Sequence, residues 1–354
     1  MRKTMRAVVL RGPEDMRVES VPVPVPAPGQ QLVRVGACGI CGSDMRYLAG
    51  ENPWAKHTLG YDKPNPSDMI LGHEVAGCAE VGGESVPVVC LAFRGCGRCA
   101  DCRRGDEQLC RYTAHLGHGA GWEGQNPGGM AEWVPVWTEC IYPLPPTVTI
   151  DQATFVDGLG VAVHAVRRAR VFPGGAVIVL GAGPIGLMVA QTARALGAAR
   201  TAVLDAYEAP LACARELGLG PTYDLPRLGE AEVLADIAHC LGDDVRAVFD
   251  TTGDLAAQAL GLRLLGAGGS LMLLAGVADG LQVTNRHLAG ERTVTTCSNN
   301  HYADFEAALR LLDSGQVVVE PMITHRFPLE RAAEAFEVAR NKRNTGALKV
   351  ILHP

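Results

Sequence analysis

Apolar and polar positions change rhythm twice along the chain. Up to about residue 150 the apolar runs are short and broken by proline and glycine. Val8-Val-Leu10, Gln31-Leu-Val-Arg-Val35 and Glu132-Trp-Val-Pro-Val136 predict strands. The run Val21-Pro-Val-Pro-Val-Pro26 cannot be a helix or a central strand and predicts an edge or a linker. Between about 153 and 299, β-branched runs alternate with segments of helical spacing. Strands are expected at 176–180, 201–204, 247–250, 270–275 and 292–296, the pattern of a doubly wound parallel sheet. The tail carries two amphipathic helices, 305–312 and 329–340, and a closing strand, Leu348-Lys-Val-Ile-Leu352. Its β character suggests that it rejoins the first domain. The expected division is therefore 1–152 with 300–354, and an inserted domain at 153–299; no fixed internal repeat is seen.

Within the inserted domain, one stretch carries chemistry. The buried run Ala176-Val-Ile-Val-Leu180 leads directly into Gly181-Ala182-Gly183-Pro184-Ile185-Gly186, then a helix-spaced segment to Leu196. A second strand ends at Asp205, nineteen residues after the last glycine. The glycines permit a tight turn, close backbone approach to a pyrophosphate and close helix–strand packing, while the helix start offers unpaired N–H groups. Asp205 would accept hydrogen bonds from ribose hydroxyls. It would repel a 2′-phosphate, and Ala206-Tyr207-Glu208 offers no arginine to receive one, which favours NAD over NADP. A glycine-rich turn of an ordinary α/β protein is the plainer reading; strand, turn, helix, strand and acid in this order argue against it.

Composition narrows the class. A chain of 354 residues, 47% hydrophobic and 20% charged, has the makings of a folded protein of two domains. Its net charge of −6 argues against nucleic acid or an anionic membrane as partner. No apolar run approaches the length of a membrane span. The N-terminal Met1-Arg-Lys-Thr-Met-Arg-Ala-Val-Val-Leu10 lacks a long apolar core and reads as a first strand, so a cytoplasmic location is expected.

Twelve cysteines without an export signal point to metal more than to disulfides. Cys96-x-x-Cys99-x-x-Cys102-x7-Cys110 suits one tetrahedral zinc with every position filled by protein, a structural site spanning about 95–111. An iron–sulfur cluster is the rival, which the long step to Cys110 with no proline after it fits poorly. Cys38, Cys78, Cys90, Cys140, Cys213, Cys240 and Cys297 read as small buried hydrophobes. A second set is dispersed: Gly39-Ile-Cys41-Gly-Ser43-Asp44, Gly72-His73-Glu74, and Asp157 ahead of a helix. Cysteine, histidine and carboxylate can hold zinc while leaving a fourth position open, and Asp44 could fix the tautomer of His73. Singly, each has a duller explanation: Cys41 a buried thiol, His73 a satisfied histidine, Asp157 a helix cap.

Together these residues resemble the zinc-dependent medium-chain dehydrogenases, which include alcohol, sorbitol and L-threonine dehydrogenases. The likeness runs through Gly-Ile-Cys41-Gly-Ser-Asp, Gly-His73-Glu, the four-cysteine lobe, Gly129-Met-Ala-Glu-Trp133, the glycine motif and Phe327-Pro-Leu-Glu…Ala335-Phe. It implies a Rossmann domain inserted in a β-rich, GroES-like catalytic domain. It implies two zinc ions, the catalytic one on Cys41, His73 and a ligand from 155–164, where Asp157 matches the polyol and threonine branch. Glu74 would lie beside that metal and ligate transiently, and Ser43 would begin a proton relay. The implied cofactor contacts are Gly181, Gly183, Pro184, Ile185, Gly186, Asp205 and Val277. The implied reaction moves a hydride between NAD and a secondary alcohol (a polyol, cyclitol, sugar or hydroxy amino acid) in a homodimer or homotetramer. An NAD-retaining epimerase or lyase, or a non-catalytic nucleotide-binding paralogue, are the competing readings.

The departures from the family pattern are local. Arg46 stands where many relatives have a relay histidine, and Gly158 where a proline follows the third ligand. Pro210 replaces an arginine beside the adenine, and the usual Gly-Asp-Arg-Val strand is missing between Glu74 and Cys96. Extra length at 47–69, with Trp54, His57, Tyr61 and Asp62, is expected to edge the active-site mouth and shape specificity, with a passive surface loop as the equal alternative.

Overall fold

The computed structural model describes residues 3–122, 126–171, 173–275 and 280–354, which form two compact units. The first comprises residues 1–157, 301–305 and 323–354; the second comprises 158–300 and 306–322.

The first unit is built on antiparallel sheet. Strand Gln30–Gly39 lies at its centre, paired with Glu74–Val81 along one side and with Trp133–Trp137 and the closing strand Lys349–His353 along the other. Cys41 leaves the end of the first of these strands, and His73 immediately precedes the second. The pairing Gly39↔Glu74 therefore sets the two segments side by side. The segment after Glu74 departs from expectation. Although the usual strand motif is missing, Glu84–Cys90 pairs with Glu74–Val81 in a continuous antiparallel ladder. Gly82 and Gly83, at φ +63° and +89°, supply the two positive-φ positions that a tight hairpin turn demands. The proline run ends strand Asp15–Pro22 and continues without regular structure.

The second unit is a six-stranded parallel sheet. Its strand order is Thr222–Asp224, Arg200–Asp205, Ala176–Leu180, Val245–Asp250, Ser270–Leu273, Thr293–Thr296. The order reverses direction at Ala176–Leu180, so the crevice beyond that strand's carboxyl end is where this architecture binds ligands. All five residues of the strand are buried, and Ile178 and Leu180 pack with Val248, Leu260 and Leu271 in one apolar core. Helix Pro184–Ala195 follows, with proline in its first turn, where a missing N–H costs nothing. Among the described residues no helix is long and apolar enough to cross a membrane.

One reading of the cysteines is corrected. Cys38, Cys90, Cys140 and Cys213 are buried, but Cys78 and Cys297 are half-buried and Cys240 is exposed. Cys240 sits in the last turn of helix Glu230–Leu241, outside the buried set Val233, Ile237 and Leu241.

The glycine turn makes opposite demands at neighbouring positions. A Cβ on Gly186 would lie 1.9 Å from the Gly181 carbonyl oxygen, whereas one on Gly183 would meet nothing within 4 Å. Gly186→Ala should lower stability by about 1–3 kcal/mol, as overpacking does. Gly183→Ala should stay within roughly 0.5 kcal/mol of wild type, as open surface sites do. Thermal unfolding of the two variants side by side measures the difference.

Candidate active site

The four-cysteine lobe is organised by its own backbone. Cys99 caps the short helix Ala100–Arg104, its sulfur accepting the Cys102 N–H. The sulfurs of Cys96 and Cys110 accept N–H groups from Cys99 and Cys96 in turn. All four sulfurs lie within 4.8 Å of one another, and Cys99 and Cys110 are 3.8 Å apart. Four thiolates bound at about 2.3 Å around one tetrahedral ion are separated by about 3.8 Å. A multi-iron cluster spreads its thiolates wider, so the set fits a single zinc. Backbone N–H donation from Arg98 pulls the Cys96 thiol down to about 6, while burial pushes Cys110 up to about 12. The set therefore starts with one ready thiolate, and binding a metal ionises the rest.

The second cluster joins Cys41, His73 and Glu74, whose ligand atoms also lie within 4.8 Å of one another. Asp44 holds it together. Its wholly buried carboxylate accepts the Cys41 N–H at 2.8 Å and the Gly72 N–H at 3.3 Å, tying together the two loops that carry the ligands. The same Asp44 oxygen that accepts the Gly72 N–H faces His73, whose Nδ1 is 3.7 Å away, within ionic reach but beyond a hydrogen bond. That buried nitrogen has no hydrogen-bond partner. Burial opposes a charge on His73, yet Asp44 and the Cys41 sulfur hold its pKa well above the ordinary value. Two anions that stabilise a proton here would equally stabilise a metal cation, so the donor set fits zinc.

Asp157 falls outside the 4.8 Å group. It senses the same charges: burial pushes its carboxyl up to about 6, against the pull of His73 and with the push of Glu74. Glu74 takes the inner position and accepts a hydrogen bond from the ammonium of Lys349 in the closing strand. Lys349 is buried, with Phe155 beneath its Nζ at 5.1 Å. The sequence reading passed over this lysine. Its signal was a single charge in an otherwise apolar strand.

Two histidines were also missed. The ring of His118 packs edge-on against His73 at 4.7 Å and stacks on His115 at 3.8 Å. Burial drives the pKa of His115 down to about 3 and that of His118 well below ordinary, so both are neutral. Tyr47 reaches His118 at 5.1 Å, and the segment after it is anchored on Tyr47. Trp54 N–H donates to the Tyr47 hydroxyl at 3.3 Å, and Asn65 donates to the Tyr47 carbonyl at 3.1 Å. Arg46 is engaged by Glu51 at 2.7 Å, with His57 3.4 Å from its guanidinium. Ser43 Oγ is buried without a hydrogen-bond partner.

In the second unit the glycine turn is fixed from two directions. Asp205 accepts the Ala182 N–H at 2.6 Å and the Tyr207 N–H at 2.9 Å, leaving each carboxylate oxygen further acceptor capacity. Thr251 Oγ1 donates to the carbonyls of Leu180 and Gly181 at 3.0 and 3.1 Å. Gly181, at φ +99°, makes the turn, and the empty space over Gly183 leaves its backbone open to a pyrophosphate. The cradle thus fits a dinucleotide. Gly158 lies where a side chain would press on Ile185 at 3.1 Å, and Pro210 sits in the first turn of helix Glu208–Glu216, where proline is tolerated. Val277 lies outside the described residues.

Comparison with known proteins shows the family. Residues 27–146 match the model of the alcohol dehydrogenase GroES-like domain, and 184–314 that of the zinc-binding dehydrogenases. The chain is 30% identical to a sorbitol dehydrogenase of Bombyx mori over 363 aligned residues, covering 98% of each. It is 31% identical to that of Homo sapiens over 351, covering 98% of this chain and 95% of the relative. A solved zinc-binding dehydrogenase from Sinorhizobium meliloti, bound to NADP, superposes over 100% of both chains with a TM-score of 0.86 at 27% identity. Four clustered thiols, a Cys–His–carboxylate centre and a glycine cradle ending in Asp205 thus have one common home: the chain belongs to the zinc-dependent medium-chain alcohol and polyol dehydrogenases, enzymes that act on CH–OH groups.

Proposed function

We propose that this enzyme oxidises a secondary alcohol of a polyhydroxylated substrate, with NAD as hydride acceptor. The observation that carries the reading is the grouping of Cys41, His73 and Glu74 around a common point, backed by buried Asp44. The sorbitol dehydrogenases named above support the substrate class. Preference for NAD rests on the Asp205 carboxylate and on the lack of a nearby arginine at 206–208. A cytoplasmic location and a homodimeric or homotetrameric state belong to the same proposal, the oligomeric state resting on the family resemblance.

Cys41 and His73 would hold the catalytic zinc, with a carboxylate as third ligand. Glu74 lies within the 4.8 Å group, which supports it as that ligand, and Asp157, outside the group, is the one the family resemblance implies. Bound there, zinc supplies a Lewis acid for the substrate oxygen, and the nicotinamide supplies the hydride acceptor. The chain does the rest. Ser43 Oγ, buried without a partner and two residues from Cys41, would accept the hydroxyl proton of the substrate, as the family resemblance implies. Arg46 cannot take that proton onward, since a guanidinium is always protonated and this one is held by Glu51. Beyond Ser43 the proton would pass to a cofactor ribose hydroxyl or to water. Asp44 keeps the ligand loops in register throughout, and Lys349 balances the charge of Glu74.

Three measurements test these assignments. Cys41→Ser should lower bound zinc from about two ions per chain to about one, because only the structural site remains closed. Its oxidation of a panel of polyols and simple alcohols should be abolished; a Cys41→Ser enzyme with wild-type turnover would refute the catalytic zinc. Glu74→Gln and Asp157→Asn separate the third ligand, since the variant that removes it loses metal affinity by roughly 10- to 100-fold or more in chelator competition. Asp205→Asn should raise KM for NAD by about tenfold, the loss of one charge-assisted hydrogen bond, and narrow its preference over NADP.

A further inference from the structure

One threonine closes the glycine turn of the second unit. Strand Val245–Asp250 lies beside Ala176–Leu180 with Leu180 opposite Asp250, so Gly181 and Thr251 leave the sheet side by side. The Thr251 N–H donates to the Leu180 carbonyl at 2.9 Å, and its hydroxyl lies 3.0 Å from that carbonyl and 3.1 Å from that of Gly181. A Cβ on Gly181 would run into this hydroxyl, and one on Gly186 would come within 3.1 Å of it. The first and last glycines of the turn therefore leave the room that the threonine side chain fills.

A hydroxyl has one proton to give. The Leu180 carbonyl already accepts the Thr251 N–H and needs no second donor, so the hydroxyl is free to bond Gly181. A trans peptide points its C=O and its N–H in opposite directions. The Gly181–Ala182 peptide is thus gripped at both ends, its carbonyl by Thr251 and its N–H by Asp205 Oδ2 at 2.6 Å. Rotating that peptide would break its hold on Asp205 and swing the carbonyl off Gly186, the side it now faces. Thr251 is held in turn by its own strand end. Asp250 is wholly buried, and its carboxylate accepts the Thr252 N–H at 2.9 Å, the Thr252 hydroxyl at 2.6 Å and the Gln258 amide at 2.8 Å. Bonds to a buried carboxylate are strong and directional, so the loop after Asp250 has little freedom to withdraw.

We infer that Thr251 is a positioning residue for the cofactor. Its hydroxyl holds the Gly181–Ala182 peptide in the orientation that opens the turn at Gly183 to a pyrophosphate and sets Asp205 for a ribose. Serine would serve at this position, whereas valine, of the same shape, and alanine would not. The role rests on the dinucleotide reading of the cradle, and it involves no contact between Thr251 and the cofactor.

Binding of NAD and of ADP by calorimetry, with steady-state kinetics on the alcohol panel, tests this in the wild type, T251V, T251A and T251S. ADP carries the pyrophosphate and its ribose without the nicotinamide. T251V and T251A should weaken NAD and ADP alike by about tenfold, the effect of leaving one carbonyl unsatisfied. KM for NAD should rise to match, with kcat at saturating NAD within about twofold of wild type. T251S, which keeps the hydroxyl, should bind both within about twofold of wild type. Melting without cofactor identifies a variant that fails to fold; should T251V fail, T251A against T251S, which differ by the hydroxyl alone, carries the comparison. Unchanged affinity in T251A overturns the role, and so does an equal loss in T251S. A loss for NAD with none for ADP moves the effect to the nicotinamide end and overturns it too. Those three outcomes leave the dinucleotide reading intact, whereas a wild-type enzyme that binds neither NAD nor ADP removes that reading and the role of Thr251 with it.

Discussion

One buried carboxylate holds the Cys41–His73–Glu74 cluster together. Asp44 binds the backbone N–H of Cys41 and that of Gly72, two residues far apart in sequence whose neighbours supply a sulfur and an imidazole. Charge-assisted hydrogen bonds of this kind are about twice as strong as neutral ones, and in a dry site they fix geometry as well as energy. The sheet brings the two loops close through the pairing of Gly39 with Glu74, and Asp44 then locks their ends. A ligand set drawn from separate loops needs such a lock, because loops alone do not hold side chains to the tolerance that a metal requires.

The charges around that lock explain its fit to a divalent ion. Cys41, Asp44, Glu74 and Asp157 are all acidic groups, and Lys349 is the one fixed cation that pairs with them. Burying so many like charges is unfavourable unless something compensates. The protein's own compensation is visible in its protonation: Asp157 is pushed up to about 6 and His73 is held well above the ordinary imidazole range. Both shifts run in the direction that favours positive charge at the cluster. A metal ion would release them, which is the usual coupling between ligand ionisation and metal affinity.

Much of this was legible in the sequence, for a physical reason in each case. The run 176–180 is the strand Ala176–Leu180 to the residue, because a fully buried parallel strand must be apolar throughout and glycine must end it. The four cysteines announce themselves because their ligands are close along the chain. The third ligand of the other centre is not readable that way. Whether Glu74 or Asp157 faces Cys41 depends on how the strand after His73 packs against Lys349, and that lysine lies 275 residues away. Strand Glu84–Cys90 was missed because its usual motif is absent, although the Gly82-Gly83 pair was the signal for a hairpin. Cys240 was read as buried from residue type alone, while helical phase places it on the outer face.

The histidine stack beyond His73 follows from the same principle as the metal cluster. Each holds a buried imidazole nitrogen without a hydrogen-bond partner, Nδ1 of His73 in one and both ring nitrogens of His118 in the other, and a buried neighbour that fixes its surroundings. Asp44 does this for the metal ligands through hydrogen bonds; Tyr47 does it for His118 and Trp54 through a ring face and a hydroxyl. The two braces belong to one short helix, Gly42–Leu48, three residues apart and both fully buried. One turn of helix therefore braces both the Cys41–His73–Glu74 cluster and the ring of His118. A change that tilted this turn would move both together, so a single element of the fold holds them in register.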